Sequence, residues 1–280
     1  MKIRKALITA ANPSQRTLPL QVLLDQKGVS RPTLQLILEE AHGAGIEEFV
    51  VVVCPGDQTA YAEAAGPYKD RVRFVEQHGP RGYGRAILVG RAMLENEDAF
   101  LHLVGDHLYV SHGGESCARQ LVAVAAAERV AVSAVQATRE SYLPYFGAVG
   151  GRLVANAQRL YQVETVIEKP SPTEAETRLL VPGLRAGHYL CFFGMHVLTP
   201  QIFVLLDELA LAAGGNGNLS LSSALHLLAA RQRYLALEVS GRRFDVGGAY
   251  GVLFAQLALA FAGKDRDLVL RQLVDLLAQS

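Results

Sequence analysis

The sequence predicts an α/β protein with a mainly parallel sheet flanked by helices and a small β-rich annex. Short apolar runs alternate with longer stretches of helical period in the first half of the chain, which is typical of parallel strands joined by helices. Past residue 140 the runs become shorter and are bounded by Gly150-Gly151 and Pro170-Ser171-Pro172, which predicts an antiparallel excursion. At 280 residues and 50% hydrophobic composition, the chain is long and apolar enough to bury a large core.

The first half contains five predicted strands with helices between them. Phe49–Val53 is the clearest strand, because a continuous β-branched run is what a parallel sheet buries on both faces. Leu34, Ile37 and Leu38 recur on one face of a helix that Gly43 ends. The other strands are predicted at 6–10, 71–75, 100–104 and 130–135, and the helices at 32–42, up to about 65, 84–94 and 115–128.

The second half predicts the annex, two returning strands and four helices. The annex consists of strand-like runs at 146–149, 152–154 and 161–167, and the returning strands lie at 190–198 and 234–239. Helices are predicted at 200–213, 219–230, 251–262 and 266–278. The last two carry more apolar residues than one buried face needs, including Leu268, Leu276 and Leu277, which indicates either a subunit interface or a place in the core.

Charge and hydropathy exclude several classes of protein. Lys and Arg number 27 and Asp and Glu number 27, so the broad basic face of a nucleic-acid-binding protein is not expected. Three stretches lack charged residues other than His, at 186–206, 209–230 and 246–263, but polar residues, Gly or Pro interrupt each one, so no membrane span is predicted. The apolar run at 6–11 is too short for a signal-peptide core, and a cytoplasmic location is expected.

Cysteine and histidine spacing does not indicate a zinc site or a disulfide framework. His102 and His196 lie on predicted strands, which favours hydrogen-bonded core positions, whereas His107 follows Asp106 and is expected near a site. The three cysteines lack CxxC or Cys/His ligand spacing and are predicted to fill the core: Cys54, Cys117 and Cys191.

Two carboxylates follow predicted strands at the edge where open α/β sheets bind ligands. Asp106 comes directly after Phe100–Val104 and Gly105, and Asp245 follows another strand-like run and precedes two glycines. Each aspartate alone could simply cap the next element. Together, two carboxylates from distant segments suit Mg²⁺ that bridges phosphates, because this ion usually takes one or two carboxylates.

Three further segments have residue types suited to ligand binding. The loop Asn12–Arg16 offers amides and a guanidinium to phosphate, and Gln77–Gly84 joins an amide side chain to glycines that admit a ligand close to the backbone. Glu168-Lys169 offers a carboxylate for sugar hydroxyls and an ammonium for phosphate. A surface loop, a glycine turn and an exposed ion pair are the alternative interpretations. No GxSxG elbow and no Walker or Rossmann glycine fingerprint occurs.

Taken in order, these segments resemble the sugar-phosphate nucleotidyltransferases, and in particular the bacterial UTP:glucose-1-phosphate uridylyltransferase group. The likeness spans almost the whole chain. The segments that carry it are Gln77 with Gly82-Tyr83-Gly84, Gly105-Asp106, Tyr145-Phe146-Gly147, Val166-Ile167-Glu168-Lys169-Pro170 and Phe244-Asp245-Val246-Gly247.

The resemblance implies a Rossmann-like, glycosyltransferase-A-like domain over residues 1–280. Its nucleotide-binding half would be 1–140, its sugar-binding half 141–247 and its C-terminal helices 248–280. The implied reaction joins UTP to a hexose-1-phosphate in the presence of Mg²⁺ and releases pyrophosphate, in a homo-oligomer that is a dimer or a tetramer. The implied roles are catalysis for Arg16, Asp106 and Lys169, nucleotide binding for Ala10, Ala11, Gln77 and Gly82, sugar binding for Gly147, Glu168 and Lys169, and metal binding for Asp106 and Asp245.

The chain departs from the family on the triphosphate side. The family sequence Gly-x-Gly-Thr-Arg aligns with Asn12–Arg16, so that only the arginine remains, and a downstream Pro-Lys-Glu-Met-Leu-Pro segment is shortened around Leu18–Leu23 without its lysine. Near 218–223, serines replace acidic residues, and Ser222 or Ser223 is expected to cap a helix. Two functions are therefore open: an enzyme that makes UDP-glucose, or a weakened or inactive relative that binds a sugar phosphate or nucleotide sugar and regulates or partners an active paralogue.

Overall fold

A nine-stranded sheet forms the centre of the protein, which a computed structural model describes at residues 1–79, 82–214 and 218–279. Two separate two-stranded ribbons accompany it, and the C-terminal ends of several strands lead into the segments singled out above. The strands in chain order are β1 (Lys5–Thr9), β2 (Val22–Leu24), β3 (Ser30–Pro32), β4 (Glu48–Val53), β5 (Val72–Glu76), β6 (Phe100–Val104), β7 (His107–Ser111), β8 (Val132–Arg139), β9 (Gly147–Leu153), β10 (Leu160–Glu168), β11 (His188–Leu198), β12 (Leu235–Glu238) and β13 (Gly241–Asp245).

Helices cover both faces of the sheet. Short 3₁₀ helices span Leu18–Leu20, Gly66–Arg71 and Glu140–Tyr145. The α-helices are α1 (Thr33–Gly43), α2 (Gln58–Ala64), α3 (Tyr83–Val89), α4 (Arg91–Leu94), α5 (Cys117–Glu128), α6 (Pro172–Arg178), α7 (Gln201–Ala212), α8 (Leu221–Arg231), α9 (Gly251–Phe261) and α10 (Arg266–Ala278).

The sheet has the order β5-β4-β1-β6-β11-β8-β12-β10-β9, with β11 also paired to β9. The segment β5-β4-β1-β6 is parallel, as is the pair β8–β12, whereas β9, β10 and β11 run antiparallel to their neighbours. The α/β class and the antiparallel excursion past residue 140 are confirmed. Residues 1–140 and 141–247 both contribute strands to this one sheet.

Alternate residues of the strands enter two apolar layers on opposite faces of the sheet. On β1, Ile8 belongs to one layer and Leu7 to the other, as the period of two in a strand requires. Leu38 of α1 and Leu121 of α5 pack in the first layer, and Ile87 of α3 packs with residues of α7 and α8 in the second. The parallel strands are therefore buried on both faces, which explains their continuous apolar sequences.

Several predicted boundaries differ from the structure. The runs at 146–149 and 152–154 form the single strand β9, because Gly150 and Gly151 continue the strand instead of ending it. A Cβ at Gly150 would lie 2.6 Å from the carbonyl oxygen of Arg178, so a glycine allows α6 to approach this strand closely. The helix predicted at 84–94 is divided at Gly90 into α3 and α4.

The expected cap of the helix near 219 is wrong. This helix, α8, begins at Leu221, and the hydroxyl of Ser220 accepts a hydrogen bond from the backbone N–H of Ser223. The residue before the helix has the extended backbone that a capping side chain needs, so Ser220 takes this role. Ser222 is thereby free to make a contact in the candidate site.

Neither ribbon was predicted from the sequence. β2 pairs with β3, and β7 pairs with β13, both antiparallel. A strand-like run was expected before Asp245, but the polar sequence of β13, Gly-Arg-Arg-Phe-Asp, gave no indication of its partner, and β2 and β3 have only three residues each. The β7–β13 ribbon matters for function because it carries both predicted metal ligands to one place.

The two C-terminal helices differ in burial. α9 buries Ala255 and Leu259 against the core, whereas α10 has no buried residue. A place in the core is therefore wrong for α10, where Leu276 and Leu277 are 64% and 73% exposed. Within the described part of the chain, no helix combines the length and the unbroken apolar character that a membrane span needs.

Candidate active site

A cavity of about 430 Å³ lies beyond the carboxyl ends of β1, β5 and β6. This is the edge at which an open α/β sheet binds ligands. The four residues predicted to bind nucleotide line it together with one predicted metal ligand. They are Ala10, Ala11, Gln77, Gly82 and Asp106.

Gln77 and Gly82 form one wall of the cavity. Gln77 is buried, and among the residues that the structure describes its side-chain amide contacts the carbonyl oxygen of Gly79 alone, at a long 3.5 Å. Gly82 has a φ of +88°, and a Cβ at this position would lie 2.7 Å from the backbone nitrogen of Leu219. A glycine is therefore required where α3 begins. Residues 80 and 81 of the predicted segment lie outside the described residues.

The loop after β1 folds on itself. The side chain of Asn12 accepts hydrogen bonds from the N–H and the hydroxyl of Ser14, and the N–H of Gln15 donates to the carbonyl of Asn12 at 3.0 Å. Pro13 has no N–H. The backbone donors of Ser14 and Gln15, which the sequence directed at phosphate, are thus occupied within the loop.

Arg16 points away from the cavity. Its guanidinium binds the carboxylate of Asp57 through two hydrogen bonds, and the hydrogen bonding to Asp57 raises the pKa of Arg16. The hydroxyl of Tyr61 donates to the carbonyl oxygen of Arg16 at 2.8 Å and holds the backbone of the loop. The predicted catalytic role of Arg16 remains a prediction, and it requires the guanidinium to leave Asp57.

Asp106 and Asp245 come together at the start of the β7–β13 ribbon. Asp106 lies in the turn between β6 and β7, and its carbonyl accepts the N–H of Val246, while Asp245 is opposite His107 in the ribbon register. One ligand atom from each of Asp106, His107 and Asp245 lies within 4.8 Å of the others. Carboxylate oxygens and an imidazole nitrogen at these separations fit a divalent cation.

Hydrogen bonds fix the two carboxylates. Burial alone would raise the pKa of Asp106, but the hydrogen bond and the charge of His107 lower it, with a further hydrogen bond from Gln15, and the net pKa lies below the ordinary value. Asp245 accepts the N–H of Gly247 at 2.8 Å. Asp106 is therefore held ionised, which is the state that a metal ligand needs.

Gly105 allows Asp106 to sit close to the nucleotide cavity. Its N–H donates to the carbonyl of Thr9 at 2.9 Å, and a Cβ would lie 2.9 Å from the Cβ of Ala10. A larger residue would separate β6 from the end of β1. The Gly-Asp pair thus has a structural reason in addition to the carboxylate itself.

The predicted sugar residues meet across β9 and β10. Gly147 is opposite Glu168 in the register, and the hydroxyl of Ser222 donates to Glu168 Oε2 at 2.5 Å. A Cβ at Gly147 would lie 2.8 Å from this same oxygen, so the glycine keeps the carboxylate open on that side. Lys169 is exposed, has a φ of +47° and makes no ion pair within the described ranges.

Tyr83 lies near carboxylates of both the predicted metal site and the predicted sugar site, and Arg243 packs on Phe146. Tyr83 is partly buried, and its pKa is raised well above the ordinary value, first by desolvation of its hydroxyl and then by the charges of Asp106 and Glu168. Both carboxylates are therefore near one phenol. Arg243, two residues before Asp245, lies over the ring of Phe146 at 3.8 Å from its centroid, and burial lowers the pKa of Arg243 to about 10.

The structure adds contacts that the sequence did not indicate. The position of His107 directly after Asp106 indicated that His107 is near the site. Nothing in the sequence indicated the contacts of Gln15 with Asp106, of Ser222 with Glu168 or of Arg243 with Phe146. These partners are distant along the chain, and the fold alone brings them together. The core interpretation of His102 and His196 is confirmed, because both are buried and hydrogen-bonded, and the three cysteines are buried as well.

Comparison with known proteins gives two kinds of relative. A UTP–glucose-1-phosphate uridylyltransferase 2 of Streptococcus pyogenes is 28% identical, over 92% of this chain and 91% of the relative. A UTP–glucose-1-phosphate uridylyltransferase of Streptococcus pneumoniae is 29% identical, over 90% and 88% of the two chains.

Solved structures share the fold at lower identity. A UDP-glucose pyrophosphorylase complexed with UDP-glucose superposes with a TM-score of 0.75 at 24% identity, over 92% of this chain and 98% of the other. A UTP-bound UDP-glucose pyrophosphorylase from Acinetobacter baumannii superposes with a TM-score of 0.73 at 22% identity, over 98% of this chain and 99% of the other.

The sequence model of one protein family matches most of the chain. The match runs from residue 15 to residue 259, so it starts after Asn12-Pro13-Ser14 and includes the two aspartates and the Gly147–Glu168 pair. The matched part contains Gln77 of the cavity wall, the predicted metal ligands and the predicted sugar-binding residues. The chain belongs to the nucleotidyl transferase family.

Proposed function

We propose that this protein is a UTP:glucose-1-phosphate uridylyltransferase that forms UDP-glucose and pyrophosphate. One observation carries the proposal: Asp106 lines the same cavity as Gln77, lies within one cluster with Asp245, and acts together with Glu168 on the phenol of Tyr83. These residues supply a base-recognition group, a pair of metal ligands and a hydroxyl acceptor, which are the groups that the reaction needs. The names of the relatives agree with this substrate pair.

The proposed reaction is a displacement at phosphorus. An oxygen of the sugar phosphate attacks the α-phosphorus of UTP, the bond from that phosphorus to the oxygen that bridges to the β-phosphorus breaks, and pyrophosphate leaves with that oxygen. Little covalent chemistry falls to the protein, so catalysis consists mainly of positioning and of charge neutralisation.

In the proposed reaction, the predicted residues bind the base, the hexose and the sugar phosphate. The amide of Gln77 and the backbone of Ala10 and Ala11 bind the uracil, and Gly82 lies against the base or ribose. Gly147 and Glu168 bind the hexose hydroxyls. Lys169 contacts the sugar phosphate, to which its exposed ammonium brings a charge that no carboxylate neutralises in the described structure.

Asp106 and Asp245 would hold the divalent cation, for which Mg²⁺ is the proposed ion. The fit rests on the donor set, because both aspartates are hydrogen-bonded in place and the pKa of Asp106 is lowered. When bound, the cation neutralises phosphate charge.

A second function is favoured by the loop after β1. Its amides are occupied and Arg16 is bonded to Asp57, so the loop offers a triphosphate few donors. On this basis the alternative is a weakened or inactive relative that binds a sugar phosphate or nucleotide sugar and acts as a regulator or partner of an active paralogue.

Release of pyrophosphate decides between the two functions. Purified protein is supplied with UTP, glucose-1-phosphate and Mg²⁺, and Asp106→Asn serves as the control for contaminating activity. Turnover that disappears in Asp106→Asn supports the enzyme. Absence of turnover in the wild type, with binding of UDP-glucose retained, overturns the enzyme and supports the binding protein.

A homo-oligomer in the cytoplasm belongs to the same proposal. The exposed apolar side chains of α9 and α10, including Phe254, Leu276 and Leu277, offer a surface for a second copy. Light scattering of the purified protein tests this expectation, and a monomer at micromolar concentration contradicts it.

The cytoplasmic location follows from the proposed substrates, which are intracellular metabolites.

A further inference from the structure

We propose that His107 is a third ligand of the metal site and shifts its preference from Mg²⁺ toward Mn²⁺ and Co²⁺, compared with a site formed by the two aspartates alone. The proposal rests on the proposed function only for the presence of a cation at this place. It concerns a residue of this chain that the two-aspartate interpretation leaves out.

The ring of His107 turns its Nδ1 edge toward the carboxylates. Nδ1 lies 2.7 Å from Asp106 Oδ1. On the opposite edge, Cδ2 faces Gly194, where a Cβ would lie 3.2 Å from it. Since Nδ1 and Cδ2 are on opposite sides of the ring, the nitrogen, and not a carbon edge, faces the cluster.

The spacing suits ligands of one ion. Metal–ligand distances are about 2.0–2.2 Å for nitrogen and oxygen donors, so two adjacent ligands lie about 3 Å apart. The contact of 2.7 Å between Nδ1 and Oδ1 is close to this value, and all three ligand atoms lie within 4.8 Å of one another. A small movement of the side chains suffices to place one ion between them.

The backbone holds the three residues together. His107 and Asp245 are direct partners in the β7–β13 register, and Val246 donates its N–H to the carbonyl of Asp106 at 2.9 Å. The side chains of His107 and Asp106 are only 13% and 23% exposed. A ligand set on paired strands and partly shielded from water is ordered before the ion arrives.

Imidazole changes which ion the site prefers. Mg²⁺ favours oxygen ligands and retains several waters, whereas nitrogen ligands favour ions later in the Irving–Williams order. Two carboxylates and one imidazole therefore bind Mn²⁺ and especially Co²⁺ more tightly relative to Mg²⁺ than two carboxylates do. Nδ1 cannot donate to Asp106 and bind an ion at the same time, so an ion on Nδ1 requires the ring proton to be on Nε2.

The hydrogen bond to Asp106 gives His107 a second conceivable role, which the test separates from the first. If His107 only orients Asp106, its loss weakens every divalent ion by a similar factor. If His107 is a ligand, its loss weakens Co²⁺ and Mn²⁺ much more than Mg²⁺. The ratio of affinities, and not the affinity itself, is therefore the quantity to measure.

The experiment compares the wild type with His107→Asn, without substrates. Asparagine keeps a donor that reaches Asp106 but removes the imidazole. Calorimetry measures Co²⁺ and Mg²⁺ binding, and the electron paramagnetic resonance signal of free Mn²⁺ measures Mn²⁺ binding. We expect the affinities for Co²⁺ and Mn²⁺ to fall at least tenfold and that for Mg²⁺ to change less than threefold.

Two controls complete the test. His112→Asn, just beyond the other end of β7, should leave all three affinities unchanged. Electron spin-echo modulation of Mn²⁺ bound to the wild type should show coupling to a ligand nitrogen, which requires no variant to fold. Equal losses for all three ions, or the absence of nitrogen coupling, overturns the proposal. Because the metal-binding measurements use no UTP, their outcome is independent of whether the protein shows uridylyltransferase activity.

Discussion

Two regions of the site, both at the same edge of the sheet, differ in what their polar groups are bonded to. In the loop after β1, the N–H groups of Ser14 and Gln15 and the guanidinium of Arg16 are bonded to protein acceptors. In the proposed metal and sugar region, Asp106 accepts hydrogen bonds from the side chains of His107 and Gln15, Glu168 accepts one from Ser222, and both carboxylates retain acceptor capacity.

The difference shows which half of the site is ready for a ligand. A donor that is already satisfied contributes little to binding, because its internal bond must break before a new one forms. Compared with the family sequence, the loop therefore offers fewer donors for phosphate, because its glycines are substituted and its remaining donors are bonded within the protein. In the proposed metal and sugar region, hydrogen bonds orient the carboxylates of Asp106 and Glu168 but leave them lone pairs with which to bind a ligand.

Asp106→Asn gives the largest expected effect. The change keeps the shape of the side chain but removes the charge that holds the cation, and we expect kcat for UDP-glucose formation to fall about 10³-fold. Steady-state pyrophosphate release measures it. Asp98→Asn, an exposed aspartate that accepts the N–H of Lys2, is the matched control. A fall of less than tenfold in Asp106→Asn would show that the metal site lies elsewhere.

Rebuilding the loop is expected to increase turnover. The combined changes Asn12→Gly, Pro13→Ala, Ser14→Gly and Gln15→Thr restore an amide and remove the side-chain acceptor that closes the loop. A net gain equal to one hydrogen bond to a charged group, about 1.5–3 kcal/mol, predicts that kcat/KM for UTP rises about 10- to 100-fold.

Pro13→Ala alone is the control for the loop experiment. It restores one N–H but leaves Asn12 bonded to Ser14, so we expect a gain of less than about threefold. Equal activity of the rebuilt and wild-type loops would contradict the comparison between the two regions, since it would mean that the loop does not limit the reaction.

Glu168→Gln tests the sugar side. The amide keeps the size of the side chain but loses a charged acceptor, and we expect KM for glucose-1-phosphate to rise about tenfold with KM for UTP unchanged. Glu164→Gln on the same strand, where the glutamate pairs with exposed Arg152, should change neither constant. An equal rise in both KM values would place Glu168 outside the sugar site.

Asp57→Asn gives the smallest expected effect. The change weakens the bond that holds Arg16 away from the cavity, and partly exposed ion pairs contribute up to about 1 kcal/mol, so KM for UTP should fall about threefold. Kinetics of the double variant Asp57→Asn with Arg16→Ala provide the check. If the double variant still has the lower KM for UTP, the released guanidinium of Arg16 does not cause the fall in KM.

The sequence predicts the strands of the sheet well because their signal is local. Phe49–Val53 lies within one residue of β4, since a β-branched apolar run bounded by Pro and Gly has few other stable conformations. The β7–β13 ribbon was missed because its strands carry polar residues and are distant in sequence. Their pairing depends on the fold, which a local pattern does not contain.

The same distinction holds for the site. Asp106 was found from the sequence because it follows a strand of the parallel sheet, whose strand ends meet at one edge. Asp245 was singled out by the same pattern, but it ends a strand of the separate β7–β13 ribbon, and this ribbon brings it to Asp106. The hydrogen-bond partners of the carboxylates were not found, since Gln15 reaches Asp106 and Ser222 reaches Glu168 only after the chain has folded. The loss of glycines from the loop was visible in the sequence, but its closure through the Asn12 side chain required the structure.

The most direct test of the comparison is calorimetric titration of the wild-type protein with UDP-glucose and with UTP in the presence of the divalent cation. UDP-glucose uses the metal and sugar region, whereas the β- and γ-phosphates of UTP depend on the loop. We predict that UDP-glucose binds at least about tenfold more tightly than UTP and that the rebuilt loop removes this difference. Equal or tighter binding of UTP by the wild type would contradict it.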